Sequence, residues 1–182
     1  MKYAYYDRLS AANKKIYDRS DAISTVTLRS PEKLAARVRG IERALKRRKR
    51  PDVEIAVRRL NEALVKALKV PPIKLRVLAA RPSHSWGELQ GLYEPLEGRK
   101  RARITIWMRT AQRKQVVAFK TFLRTYLHEV LHHLDYEHFH FDETFHTHGF
   151  YRRESSLYHQ LTQRPLSGSG PLKKASLNFK GN

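Results

Sequence analysis

The chain contains no cysteine among its 182 residues. Disulfide bonds and zinc sites built from cysteine thiolates are therefore excluded. Long apolar runs are also missing: residues 1–8 lack the apolar core of a signal peptide, and no later run could span a bilayer. Because nothing in the composition calls for an oxidising compartment or a lipid partner, the sequence predicts a cytoplasmic protein that does not contact membranes.

Acidic residues are scarce. The chain has 17 Asp and Glu against 37 Lys and Arg, which gives a formal net charge of +20. Charge of this size attracts polyanions by releasing their counterions, and no residue pattern here reads bases. The sequence therefore predicts DNA binding without sequence preference, and the alternative is a solvated basic surface. The candidate contacts form one run, Lys46, Arg47, Arg48, Lys49 and Arg50.

Residues 128–132 read His-Glu-Val-Leu-His. Two histidines four positions apart project from one face of a helix, where both imidazoles can bind a single zinc ion. The glutamate that follows the first histidine reaches water at such a metal and can act as a general base. The pattern predicts His128 and His132 as metal ligands and Glu129 as the catalytic residue.

The neighbouring residues predict that this motif lies on an amphipathic helix. At about 100° per residue, the apolar side chains fall on one side and the motif falls on the other. The apolar side comprises Phe119, Leu123, Tyr126, Leu127, Val130, Leu131 and Leu134. Asp135 lies one turn beyond His132, and we expect its carboxylate to accept a hydrogen bond from a ligating imidazole.

A catalytic zinc ion needs a third protein ligand, and four residues are candidates. His138 stands where the metzincin pattern has its last histidine, but Asp135 replaces the glycine at which the chain turns back in that pattern. Glu154 offers the gluzincin arrangement, in which a glutamate comes from a following helix. His146 and His148 both lie just before Phe150.

This part of the chain resembles the SprT-like metallopeptidase family, which includes Spartan. The resemblance covers about residues 53–163: a His-Glu-x-x-His helix, a loop of about a dozen residues, and a His-Gly-x-x-Phe segment that opens the next helix. It implies a zincin fold and a peptidase with one Zn²⁺. In the family the third ligand stands four residues before an aromatic residue, a spacing kept by His146 and Phe150. His148 and Gly149 keep the His-Gly pair instead, so His146 is preferred and His148 is the alternative.

The resemblance also implies a protein substrate. Some SprT-like proteins degrade proteins crosslinked to DNA, which would unite the peptidase motif with the basic charge. The chain lacks the cysteine zinc ribbon that many relatives carry, which leaves the DNA-repair role open, and a peptidase whose charge is incidental is a further reading. The alternative from a different class is a basic nucleic-acid-binding protein with a zincin-like fold and a non-catalytic metal site. Glu129 argues against this alternative, because a structural site needs no general base.

The remaining patterns predict an α+β fold with a short three-stranded sheet. Helices are expected to start at 30–31, with the Ser30 hydroxyl as N-cap, and at 51–52. Strands are expected at 73–77, 86–93 and 101–109. The last is expected to form the edge of the sheet, where a peptide substrate can add as another strand, and an internal position is the alternative.

Three segments follow from these patterns. Residues 1–29, whose apolar residues recur every seven positions, are predicted to be an N-terminal helical extension. Residues 30–166 are expected to form the small zincin-like domain that the resemblance implies. In this domain N-terminal helices and the sheet precede the motif helix, and a C-terminal helix closes the fold. Residues 167–182 begin with Ser-Gly-Ser-Gly-Pro and are predicted to be a flexible basic tail.

Overall fold

The fold of the chain is α+β, as the sequence predicts. The computed structural model describes residues 2–84, 87–95, 97–98 and 101–163, so the predicted tail at 167–182 and Trp86 lie outside the described residues. The helices are α1 (Ala11–Ala22), α2 (Glu32–Arg47), α3 (Arg50–Leu68), α4 (Phe119–Glu137) and α5 (His148–Thr162), with a 3-10 turn at Tyr6–Arg8. The strands are β1 (Lys74–Ala80), β2 (Ser83–His84), β3 (Gly87–Glu88), β4 (Gly91–Glu94) and β5 (Arg103–Arg109).

Strand β5 lies in the centre of the three-stranded sheet, not at its edge. The order is β1-β5-β4, with β5 parallel to β1 and antiparallel to β4, and Ile106 pairs with Val77 on one side and Gly91 on the other. The expected edge position of 101–109 is therefore wrong. Five consecutive β5 residues, 104–108, are buried, because both faces of the strand are covered. β4 occupies an edge of this sheet, while β2 and β3 pair separately.

The helix starts agree with the sequence in one case and differ in the other. α3 has its proline in the first turn, as predicted for Pro51. α2 begins one residue later than expected, with Pro31 at the N-cap and no side-chain cap. Ser30 adopts a left-handed φ of 56° and its carbonyl accepts from Lys33 N at 3.1 Å. The predicted cap by the Ser30 hydroxyl is therefore wrong, because the main-chain carbonyl of Ser30, and not its side chain, accepts the hydrogen bond at this helix start.

Helix α4 is central to the molecule, and its apolar side is buried as the sequence predicts. Leu123, Leu127, Val130 and Leu134 are fully buried in the core that this helix shares with the sheet, α2, α3 and α5. The buried Tyr126 hydroxyl in this core donates to an asparagine on α3 at 3.1 Å. Such packing fixes the rotation of α4 and so the direction of its motif.

Helix α1 packs on α5. Its N-cap is Ser10, whose hydroxyl accepts from Asn13 N at 3.2 Å. Of the apolar residues that recur every seven positions, Ile16 lies within α1, whereas Leu9 and Ile23 flank it. Among the described residues, no helix combines the length and apolar character needed to cross a membrane.

Candidate metal centre

The side chains of His128, His132 and His146 converge on one point near strand β4. The Nε2 atom of His146 lies 2.9 Å from Nε2 of His128 and 3.2 Å from Nε2 of His132. Tetrahedral zinc with bonds of about 2.0–2.1 Å separates its ligand nitrogens by about 3.3 Å. One ligand atom from each histidine lies within 4.8 Å of the others. The three histidines are therefore close enough to bind one metal ion.

The three imidazoles pack against the ring of Phe150. It is fully buried, and its ring centroid lies 5.0 Å from those of His128 and His132 and 5.2 Å from that of His146. Thr147 caps α5 by accepting from Phe150 N at 2.9 Å, which fixes the turn between His146 and the aromatic residue. The spacing of His146 and Phe150 therefore brings the ligand over the core, as expected.

The other third-ligand candidates lie outside this group. His148 is the first residue of α5, and its ring stacks on Tyr3 at 4.4 Å. His138 is the C-cap of α4. Glu154 contacts the other ring nitrogen of His128: its carboxylate lies 3.4 Å from Nδ1 of His128 and accepts from Arg124 at 2.7 Å. It can therefore orient the imidazole while Nε2 faces the other two histidines.

Asp135 acts on His132 through an intermediate hydroxyl. Nδ1 of His132 lies 2.9 Å from Oγ1 of Thr144, and this hydroxyl donates to Oδ2 of Asp135 at 2.8 Å. Because the hydroxyl proton points to Asp135, its lone pair accepts the Nδ1 proton of His132, which leaves Nε2 free to bind a metal. The predicted direct bond from Asp135 to a ligand is wrong. Thr144 was missed, because a threonine in a loop carries no distinctive spacing.

Burial keeps two of the three imidazoles neutral. It lowers the pKa of His132 to about 3, and the neighbouring His128 and His146 lower it further. Burial likewise lowers the pKa of His146 to about 4, again with a contribution from His128. A metal ion requires the neutral imidazole, so these side chains are in the state that binds at neutral pH.

Glu129 points from α4 to strand β4. The side chain is 6% exposed, and the backbone N–H of Tyr93 donates to its carboxylate. Burial raises the pKa of Glu129 to about 7, against the opposing effects of His128 and the Tyr93 hydrogen bond. The carboxylate is thus held beside the histidine group in a site that tolerates both its charged and its protonated form.

Gly91 makes room for this carboxylate. A Cβ atom at position 91 would lie 2.2 Å from Oε1 of Glu129 and 2.8 Å from its Cδ. This glycine has no place in the predicted site, although a glycine inside a strand is a known sign of close approach by another group. Strand β4 and the carboxylate can therefore be neighbours only without a side chain at 91.

Two clefts flank Glu129 along β4. One has a volume of about 340 Å³ and is lined by Gln90, Gly91, Arg124, Thr125, His128, Glu129 and Glu154. The other has about 310 Å³ and is lined by Gly91, Leu92, Tyr93, Pro95, His128, Glu129, His132, Tyr136, Thr144 and His146. The carboxylate and the histidines are thus open to an extended molecule that lies along the strand.

Two tyrosine rings flank the histidines. The Tyr93 ring lies 6.2 Å from His132, and its hydroxyl is 3.0 Å from Nδ1 of the buried His133. The Tyr151 ring lies 6.0 Å from His146, is 41% exposed, and its hydroxyl has no hydrogen-bond partner within the described part of the chain. The Tyr151 hydroxyl is therefore free to bind a ligand.

The predicted DNA-binding run lies at the junction of α2 and α3. Three of its five cations form surface ion pairs: Lys46 with Glu42, Arg47 with Asp52 and Arg50 with Glu54. Exposed pairs of this kind contribute about 0–1 kcal/mol, so a stronger anion can displace them. None of the five lines either cleft beside Glu129.

No family model, curated protein or solved structure matches the chain. The geometry and chemistry of the centre itself therefore carry the functional inference.

Proposed function

We propose that the protein is a zinc-dependent peptidase, with His128, His132 and His146 as ligands of one Zn²⁺ and Glu129 as the general base. The observation that supports this most directly is the buried Glu129 carboxylate beside three converging imidazoles, open to clefts on both sides. The resemblance of the motif to SprT-like peptidases agrees with it.

The donor set fits a catalytic zinc ion. Three neutral imidazoles are a usual ligand set for a site that keeps its fourth position for water. A structural site would use four protein ligands, but Glu154, the acidic candidate for a ligand, is engaged with Arg124 and Nδ1 of His128. A bound zinc ion supplies Lewis acidity and brings the pKa of water down to about 7.

The chain's own groups complete the reaction. Glu129 removes a proton from the attacking water and delivers it to the nitrogen that leaves. The nitrogen therefore departs as a neutral amine and not as an amide anion. Gly91 and the Tyr93 N–H hold the carboxylate against β4 during both transfers. Tyr151 can donate its hydroxyl proton in a hydrogen bond to the carbonyl oxygen of the substrate, where negative charge develops.

The substrate binds as an extended chain along β4. This strand is at an edge of the sheet, so its outer backbone groups can pair with another strand. Because Gly91 and Tyr93 contact Glu129, a peptide paired with β4 passes the carboxylate and the histidines in turn. The edge strand available for the substrate is thus 91–94 and not 101–109.

The net charge of +20 favours a protein substrate that is associated with DNA. The basic surface would hold the nucleic acid while the metal centre cleaves the attached protein. The alternative, a nucleic-acid-binding protein with a non-catalytic metal, leaves the buried carboxylate and its two clefts without a role.

Exchange of Glu129 for glutamine tests the proposal. Glu129→Gln keeps the size of the side chain but removes the base, so one zinc ion per chain should remain while kcat for a peptide falls by about 10²–10⁴-fold. Glu62→Gln, at an exposed position of α3, is the matched control and should retain full activity. Zinc content is measured by elemental analysis, and cleavage by a quenched fluorescent peptide with and without DNA. Undiminished cleavage by Glu129→Gln, or a wild-type protein that binds no zinc, would contradict the proposal.

A further inference from the structure

The N-terminal segment, residues 2–23, covers the stretch of chain that carries the third histidine. The Tyr5 hydroxyl donates to the carbonyl of His146 at 3.1 Å. The Ser20 hydroxyl lies 3.5 Å from that of Thr147, the residue that caps α5. Both contacts bridge more than a hundred residues of sequence, so this segment is attached to the ligand loop by tertiary structure alone.

The end of α1 lies directly against the first turn of α5. The N–H of Gly149 donates to Oδ1 of Asp21 at 2.9 Å. A Cβ atom at 149 would lie 2.4 Å from the Asp21 carbonyl oxygen and 2.5 Å from that of Ser20. The two backbones thus approach to a distance that only glycine permits, and the carbonyl end of one helix faces the N–H end of the other.

Arg153 links the same segment to the second histidine of the motif. Its guanidinium is fully buried and donates to the carbonyls of Ser20 at 2.6 Å and Ile23 at 2.8 Å. It also donates to Oδ1 of the fully buried Asp135 at 2.8 Å. A buried ion pair is costly unless its other donors find partners. The two terminal nitrogens of Arg153 find theirs in the carbonyls and the hydroxyl of residues 20–23, whereas Nε has no partner within the described part of the chain.

A continuous set of contacts therefore runs from α1 to the metal centre. It passes from the carbonyls of α1 through Arg153 to Asp135, then through Thr144 to Nδ1 of His132. A separate contact runs from Tyr5 to His146. Residues 2–23 thus connect to two of the three histidines, to the imidazole of His132 and to the backbone of His146.

We propose that residues 2–23 are a positioning element of the metal centre, which holds His146 directly and His132 through Arg153, Asp135 and Thr144. This inference rests on the proposed metal site and assigns a role to a segment that the sequence suggests is only an extension. Groups that orient a ligating histidine commonly change metal affinity by 10–100-fold when removed.

The test measures metal affinity in full-length variants. The double variant Tyr5→Phe with Asp21→Ala removes two links to residues 146–149, and Arg153→Lys replaces a planar group with five donors by a single ammonium. Glu62→Ala is the control, because Glu62 is exposed on α3, outside residues 2–23 and outside both clefts. Cobalt is the probe, since its absorption spectrum reports coordination geometry as well as occupancy.

We expect the double variant to bind Co²⁺ about tenfold more weakly and Arg153→Lys 10–100-fold more weakly. Their spectra should indicate altered coordination, while circular dichroism shows a folded metal-free protein and Glu62→Ala behaves as the wild type. Should Arg153→Lys fail to fold, the double variant decides. Wild-type affinity and spectrum in the folded double variant would overturn the inference. A wild type that binds no cobalt would overturn both this inference and the proposed function. A wild type that binds metal but cleaves no peptide would contradict only the proposed function.

Discussion

Replacement of Gly91 by alanine tests whether Glu129 works from the position that β4 gives it. The new methyl group would lie 2.2 Å from Oε1 of Glu129, whereas ordinary van der Waals contact begins at 3.4 Å, so one group has to move by about 1.2 Å. The glutamate side chain can rotate and the strand is tied to β5, so the carboxylate is the group that moves. Misplacement of a catalytic group by about 1 Å can lower the rate about 10²-fold.

We therefore expect kcat for a fluorescent peptide to fall about 100-fold in Gly91→Ala, which corresponds to about 2.7 kcal/mol of lost transition-state stabilisation. Zinc stoichiometry should stay at one per chain, because the three atoms nearest to a Cβ at position 91 all belong to Glu129. Gly40→Ala is the matched control: a Cβ there meets nothing within 4 Å. As position 40 is inside α2, this variant should keep its activity and gain about 1 kcal/mol in free energy of unfolding.

Turnover in Gly91→Ala that equals the wild type would refute the reasoning. It would mean that Glu129 acts from another conformation or does not act as the base. A loss of zinc in the same variant would also contradict it, since the effect would then come from the metal ligands.

Two further outcomes are expected. Tyr151→Phe should lower kcat about tenfold or more without changing zinc affinity, because it removes a donor to the substrate carbonyl. Tyr158→Phe is the control and should keep the wild-type kcat, since the Tyr158 ring packs on Arg124. Equal rates in both variants would leave Tyr151 without this role. Exchange of the five cations at 46–50 for glutamine should weaken DNA binding for all sequences alike and flatten its salt dependence, by about 0.9 in log–log slope for each lost phosphate contact on duplex DNA. Gel retardation at several salt concentrations checks this, and absence of retardation for the wild type at low salt would exclude DNA as a partner.

The sequence by itself determined the parts of this protein that depend on local periodicity. The apolar residues of α4 repeat at the helical spacing, so their burial and the common side of His128 and His132 could be predicted. These features need only the geometry of a single helix, which neighbouring residues impose on one another. The choice of His146 rested instead on the resemblance to SprT-like peptidases, in which the third ligand stands four residues before an aromatic residue.

Tertiary structure alone decided the features that join distant segments. Periodicity places β5 in a strand but does not give its neighbours, so its central position and the edge at β4 appear only when the sheet forms. In the same way Gly91 meets Glu129, and Thr144 stands between Asp135 and His132, through contacts that no spacing in the chain encodes. Such contacts depend on how whole elements pack, because the direction of a side chain follows from its own element but the group it meets does not.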